Sequence, residues 1–237
     1  MIRYTYLMID IFSVLVPLAA SFHPASSLYK RWPVLLPVIA ATAIVYCAWD
    51  SWFTRMGLWG FNPRFLVGHY IGNLPVEEVL FFICIPYACV FTYDSLGRIA
   101  GNLKFSGKLS IFNYCFAGAL LGLAIINSTK YYSVAAFVLL AALILFANYK
   151  KPLWLLRFYV IYAILLVPFM IVNGLLTGTG LSAPVVWYSS NAILGPRLLT
   201  IPVEDIFYGM GLVLINVWLY EGFRKDKQKT VDISITK

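Results

Sequence analysis

The stretch Leu74-Pro75-Val76-Glu77-Glu78-Val79 has a second copy later in the chain, at Ile201-Pro202-Val203-Glu204-Asp205-Ile206. The two copies lie 127 residues apart, and the same offset aligns Tyr93 with Tyr220 and Asp94 with Glu221. Apolar residues often match by chance in an apolar chain, but a repeated Pro-Val-Glu followed by a second acid rarely does. The chain is therefore predicted to contain a duplicated unit in which each acidic motif begins a helix.

The rest of the sequence has the composition of an integral membrane protein. Of the 237 residues, 61% are hydrophobic and 12% are charged, whereas soluble domains average about 25% charged residues. The aromatic share is 17%, which fits because Trp and Tyr collect at membrane interfaces. The net charge of +8 comes from bases in short gaps between apolar runs, a pattern typical of membrane topology and not of nucleic-acid binding.

Seven stretches approach the roughly 20 apolar residues that a membrane-crossing helix needs. They are residues 4–20, 32–49, 75–93, 110–127, 132–148, 154–173 and 201–223. The segments on the side of the N-terminus hold 5 Lys and Arg residues, and those on the other side hold 13. The positive-inside rule therefore predicts an external N-terminus and a cytoplasmic C-terminus. We expect a multi-pass protein of the cell membrane.

The offset of 127 residues also aligns the first span with the fifth and the second with the sixth. The expected architecture is all-α, with two three-helix repeats joined by a linker helix. Residues 1–109 form the first repeat and its following loop, 110–130 the linker span, 131–223 the second repeat and 224–237 a basic cytoplasmic tail. Because the linker span restores the direction of the chain, the repeats are predicted to be parallel.

Six carboxyl residues are predicted in or near the outer half of the bilayer, where ionisable residues are costly and usually functional. They are Asp10, Asp50, Glu77, Glu78, Glu204 and Asp205. Adjacent helix positions point about 100° apart, so at most one acid of each pair faces the bundle interior. Glu77 and Glu204, which are identical in both copies, are the first choice. The competing interpretation is an ordinary helix start, with Pro at the first helical position and acids at the positive end of the dipole.

Several other site chemistries find no support in the sequence. The two histidines, His23 and His69, are predicted on opposite sides of the membrane, so a histidine-rich metal centre is not expected. Every lysine lies outside the predicted spans, which excludes a retinal Schiff base. The sequence also has no D-x-x-D motif to hold Mg²⁺ and a diphosphate. We predict no metal and no cofactor, and leave a redox-cofactor requirement open.

A third motif, Trp59-Gly60-Phe61-Asn62-Pro63, precedes the first acidic motif. Together the three motifs resemble the small membrane lycopene cyclases, which occur as heterodimers of short subunits or as one fused chain. The matching patterns are P-[IV]-E-E-x-L-F-F at residues 75–82, P-[IV]-E-D-x-x-Y at 202–208 and W-x-F-N-P at 59–63. The resemblance covers nearly the whole chain, except the basic tail.

The resemblance implies an isomerase of the intramolecular-lyase type, which cyclises the ψ ends of lycopene to β-ionone rings and gives γ-carotene and then β-carotene. A carboxylic acid protonates the terminal double bond, the neighbouring alkene closes the ring, and a base removes a ring proton. The candidate acids and bases are Glu77, Glu204, Glu78 and Asp205. The candidates for binding the substrate and stabilising its cation are Trp59, Phe61, Asn62, Phe81, Trp187, Tyr208 and Asp10.

Two other functions remain open at this point. A carotenoid end-group hydratase would begin with the same protonation but let water capture the cation. A non-enzymatic membrane protein that binds carotenoid or lipid would use the carboxylates as helix caps and the aromatic loops as anchors. The expected partners are lycopene and other carotenoids within the bilayer and the membrane lipids, with no nucleic acid. Self-association, ring type and the number of ends cyclised are not decided by the sequence.

Overall fold

The computed structural model describes residues 2–99 and 106–235. Seven helices in these ranges are long and apolar enough to cross a membrane, which confirms the predicted number. The helices are Thr5–Ala20 (α1), Trp32–Arg55 (α2), Val76–Ile99 (α3), Gly107–Ile126 (α4), Tyr131–Lys150 (α5), Leu155–Leu176 (α6) and Val203–Ile235 (α7). Helices suit this composition because they satisfy their own backbone polar groups in lipid.

Short strands form in the loops that precede α3 and α7, which corrects the all-α prediction to a mostly helical fold. They are Trp59–Phe61 (β1), Tyr70–Ile71 (β2), Leu74–Pro75 (β3), Val186–Tyr188 (β4), Arg197–Leu198 (β5) and Ile201–Pro202 (β6). Strands β2 and β3 form one antiparallel hairpin, and β5 and β6 form another 127 residues later. Strand β1 pairs antiparallel with β4, with Gly60 opposite Trp187. The two loops are therefore joined to each other.

Several predicted boundaries differ from the structure. Pro75 and Pro202 end β3 and β6, and each helix begins one residue later. The predicted division between residues 109 and 110 falls inside α4, because that helix begins at Gly107. Helix α7 continues through Ile235, beyond the predicted end at residue 223, since a helix need not stop where its apolar window stops. Residues 100–105 and 236–237, and the side chains of the basic tail beyond Arg224, lie outside the described residues.

The core lies where α5 packs against α4 and α7. Phe137, Leu140, Ala141 and Ile144 on α5 are completely buried. Small residues such as Ala141 let neighbouring helices approach closely, which matters in lipid because packing and not water exclusion drives association. The outward surface is also apolar, with Ile126 at 80% exposure, as a lipid-facing surface requires.

Candidate functional site

A cavity of about 320 Å³ lies between α1, α3, α6 and α7. Its walls are mostly apolar, and three carboxyl residues reach them, namely Asp50, Glu78 and Asp205. These residues are only 3%, 7% and 4% exposed. Because Glu78 lies in the first turn of α3 and Asp205 in the first turn of α7, both halves of the sequence contribute an acid to one cavity. No group of three or more His, Cys, Asp and Glu side chains in the described chain is placed to hold a metal ion.

Asp205 is held by three hydrogen-bond donors. The Tyr132 hydroxyl donates to Oδ1 at 2.6 Å, while Asn173 Nδ2 and the Tyr188 hydroxyl donate to Oδ2 at 2.8 and 3.0 Å. Tyr188 lies in the loop before α7, where burial and then the Asp205 carboxylate raise its pKa well above the ordinary value. Tyr188 therefore stays a phenol near neutral pH and keeps its proton for this hydrogen bond.

Glu78 has a poorer set of donors. The Tyr6 hydroxyl on α1 donates to Glu78 Oε2 at 2.5 Å, and no second donor contacts this carboxyl group within the described ranges. Hydrogen bonds donated to a carboxyl group stabilise its ionised form. Asp205 receives three such bonds and Glu78 one, so these two of the three acids in the cavity are chemically unequal.

Glu77 and Glu204, the first choice from the sequence, do not line the cavity. Each is fully buried and ties the preceding loop to the start of its helix. The Val67 N–H donates to Glu77 Oε1 at 2.6 Å, and the Leu194 N–H donates to Glu204 Oε1 at 2.5 Å. The Oε2 atom of each has no hydrogen-bond partner among the residues described here. The observed contacts of Glu77 and Glu204 therefore organise the loops around the cavity.

Aromatic side chains surround the acids. Of the candidates from the sequence, Trp59, Phe61, Phe81 and Tyr208 line the cavity. The ring centroid of Tyr132 lies 5.1 Å from that of Trp59 and 5.9 Å from that of Tyr208, so the rings form a continuous wall. The faces of aromatic rings carry negative electrostatic potential and attract cations. This wall is therefore suited to a carbocation that forms beside the carboxyl groups.

Three other candidates lie outside the cavity lining. The Asn62 side chain donates to the Pro184 carbonyl at 3.3 Å and joins the loops that carry β1 and β4. Trp187 is 44% exposed and its indole covers Gly60. Asp10 is completely buried on α1, and neither of its carboxyl oxygens has a hydrogen-bond partner in the described structure. The contacts of Asn62 and Trp187 support the loops around the site.

Sequence reasoning missed the tyrosines and the amide that hold the acids, namely Tyr6, Tyr132, Asn173 and Tyr188. Tyr132 and Asn173 stand at predicted ends of spans, where such residues are ordinary. Tyr188 belongs to an aromatic loop segment that resembles a membrane anchor. Their predicted depth in the membrane could have identified them, because all four residues are predicted near the same membrane level as the acidic motifs.

Comparison with known proteins identifies several similar sequences. A family model described as lycopene cyclase matches residues 3–96 and 129–223. Three similar relatives are bifunctional lycopene cyclase/phytoene synthases from Pyrenophora tritici-repentis (36% identical over 50 residues), Aspergillus niger (29% over 76) and Aspergillus oryzae (28% over 67). The aligned regions cover 21%, 32% and 28% of this chain and 9%, 13% and 11% of the relatives. No solved structure matches the chain significantly.

Proposed function

Since the chain belongs to the lycopene cyclase family, we propose that it is a lycopene β-cyclase of the cell membrane. It converts the ψ ends of lycopene to β-ionone rings, giving γ-carotene and then β-carotene. The observation that carries this proposal is the meeting of Glu78 and Asp205 in one apolar, aromatic-walled cavity. Cyclisation needs an acid, a base and an environment that shields the cation. The substrate is neither oxidised nor reduced overall.

Glu78 is the proposed proton donor. It faces the cavity with a single hydrogen-bond donor, Tyr6, against it, and burial in an apolar wall favours the neutral form of a carboxyl group. The proton moves from the Glu78 carboxyl group to the terminal double bond of the substrate and leaves a tertiary carbocation. The neighbouring double bond then attacks this cation and closes the six-membered ring.

Asp205 is the proposed base. Its three donors stabilise a carboxylate, and a fixed negative charge in a dry site stabilises positive charge that develops during the reaction. Once the ring has closed, Asp205 removes a ring proton and restores a double bond. The cycle is complete when the proton on Asp205 is lost and Glu78 is protonated again, so the product is an isomer of the substrate.

The aromatic wall supplies the remaining stabilisation. An alkene is a very weak base, so a buried acid alone gives too little cation to account for turnover. Trp59, Phe61, Phe81 and Tyr208 line the cavity that holds both acids, where their π-faces can attract the cation. In this scheme Asn62 and Trp187 position the loops, Glu77 and Glu204 fix the helix starts, and Asp10 adds a buried acid beside the site.

The proposed arrangement in the membrane follows from the repeated contacts. Equivalent hairpins and equivalent loop-to-glutamate bonds recur at an offset of 127 residues, and the family model also matches the chain in two stretches. These observations support two parallel repeats related by an approximate two-fold axis, with α4 as the linker helix. The excess of bases on one side supports an external N-terminus and a cytoplasmic C-terminus.

Expression in a lycopene-accumulating host, followed by pigment chromatography, tests this function. A β-cyclase produces γ-carotene and β-carotene, and Glu78→Gln at equal membrane abundance does not. Turnover in D₂O places one deuterium in each new ring, because the Glu78 proton exchanges with solvent before it is transferred. Hydroxylated acyclic products would indicate a hydratase, and unchanged lycopene bound to the protein would indicate a carotenoid-binding protein.

A further inference from the structure

The cavity opens through the side of the helix bundle. Two residues of its lining on α1, Phe12 and Val16, are 66% and 70% exposed. On α6, Pro168 both lines the cavity and is exposed. All three positions lie within membrane-crossing segments, where an exposed side chain contacts lipid. The gap between α1 and α6 therefore connects the cavity with the bilayer.

The cavity is elongated, and its acids occupy one end. On α3 its lining extends from Glu78 to Thr92, a distance of about 21 Å at roughly 1.5 Å per helical residue. On α1 the lining extends from Tyr6, which contacts Glu78, to Pro17. The cavity therefore forms a passage. Its carboxyl groups lie near the start of α3, and its lateral opening lies farther along α1.

Away from the acids, the lining of the passage has almost no polar groups that are free to hydrogen-bond with an occupant. Ser13 and Thr92 both line it, but each hydroxyl is bonded within its own helix. Ser13 Oγ donates to the Asp10 carbonyl at 2.7 Å, and Thr92 Oγ1 donates to the Ala88 carbonyl at 2.9 Å. A linear polyene is the occupant that this chemistry fits, because it is apolar and narrow and is dissolved in the bilayer.

We propose that the gap between α1 and α6 is a lateral portal through which a linear polyene enters end first from the lipid. The chemistry at the end of the passage rests on the proposed cyclase function. Because Glu78 and Asp205 lie at one end, a single end group meets the acids in each binding event. The second ring then requires the monocyclic product to leave and to enter again with its other end.

Two substitutions at the portal test this proposal. Val16→Phe and Val16→Trp fill the opening by increasing amounts, and Ile44→Trp is the matched control because Ile44 is 71% exposed on α2 and does not line the cavity. Size-exclusion chromatography of each variant confirms folding. The first measurement is the lycopene that co-purifies with each variant in a Glu78→Gln background, and the second is the cyclisation rate with Glu78 present.

The portal predicts graded losses of bound lycopene and of rate from Val16→Phe to Val16→Trp, while Ile44→Trp matches its parent. A folded Val16→Trp protein that binds and cyclises lycopene like its parent would overturn the portal and leave the cyclase function standing. If the protein that retains Glu78 binds lycopene through the portal but forms no ring, the cyclase function is overturned instead and the portal stands.

End-first binding is tested independently by isotope dilution. Unlabelled lycopene is turned over in the presence of deuterium-labelled γ-carotene, and the label in β-carotene is measured. Release between the two rings predicts that β-carotene acquires label from the added pool from the start of the reaction. Unlabelled β-carotene under these conditions would show that both ends react in one binding event and would overturn this part of the proposal.

Discussion

The hydroxyl of Tyr93 on α3 donates a hydrogen bond to Glu221 Oε1 on α7 at 2.9 Å. The reciprocal contact is also present, because the Tyr220 hydroxyl donates to Asp94 Oδ1 at 3.0 Å. Each tyrosine is one residue from the acid of its own half but bonds the acid of the other half. The two helices that carry the site acids are therefore joined about four turns beyond those acids by a matched pair of contacts.

Loss of either tyrosine hydroxyl should destabilise the fold. Tyr93→Phe and Tyr220→Phe each leave a buried carboxyl group short of one donor, and we expect each to lower the free energy of unfolding by about 2 kcal/mol. Thermal unfolding in detergent, followed by fluorescence-detected size exclusion, measures the change. Tyr114→Phe is the control because Tyr114 is 61% exposed. Equal stability of Tyr93→Phe and the control would show that the contact contributes nothing.

Gly60 provides a second test of how the halves are joined. A Cβ atom at this position would collide with the indole of Trp187 on the paired strand, so Gly60→Ala should separate β1 from β4 and cost about 2 kcal/mol. Gly118→Ala is the matched control, because a Cβ there meets no atom within 4 Å and Ala favours the helix. If the two variants unfold at the same temperature, the strand pair does not hold the loops together.

The sequence predicted most of the scaffold because hydrophobic length alone determines the number of spans. It did not predict the pairing of β1 with β4, since that contact joins residues 125 to 129 positions apart. It also favoured Glu77 over Glu78, which have the same chemistry and differ in direction by about 100°. Their directions depend on how the loop returns to the helix start, where the Val67 N–H meets Glu77. The local pattern contains no information on that contact.

Division of the chain tests whether the site is composite. A cut at the predicted boundary between residues 109 and 110 would break α4, so the better position for the cut is between Ile99 and Ser106. Each half alone should form no ring, because Glu78 belongs to one half and Asp205 to the other, whereas co-expression should restore cyclisation. Pigment analysis of cells with one or both halves gives the result. Ring formation by a single half would show that it contains a complete site.

The orientation in the membrane can be measured with fusion reporters. The distribution of 13 against 5 Lys and Arg residues predicts that a reporter after Lys237 is cytoplasmic and that one at Met1 is external. Two reporters are fused to each end, one active only in the cytoplasm and one active only outside it. We expect the first to be active at the C-terminus alone and the second to be active at the N-terminus alone. Identical signals from the two ends would contradict seven spans and, with them, the parallel arrangement of the repeats.

Glu78 and Asp205 are proposed to perform the acid–base chemistry, while their neighbours Glu77 and Glu204 are proposed to organise the loops. The most direct measurement is the initial rate of ring formation by membranes that contain equal amounts of Glu78→Gln, Asp205→Asn, Glu77→Gln or Glu204→Gln. Gln at positions 77 and 204 keeps an acceptor oxygen for the Val67 and Leu194 N–H groups, but an amide at 78 or 205 cannot transfer the proton. We expect no detectable cyclisation with Glu78→Gln or Asp205→Asn and substantial activity with the other two; parental rates for Glu78→Gln and Asp205→Asn would contradict the account.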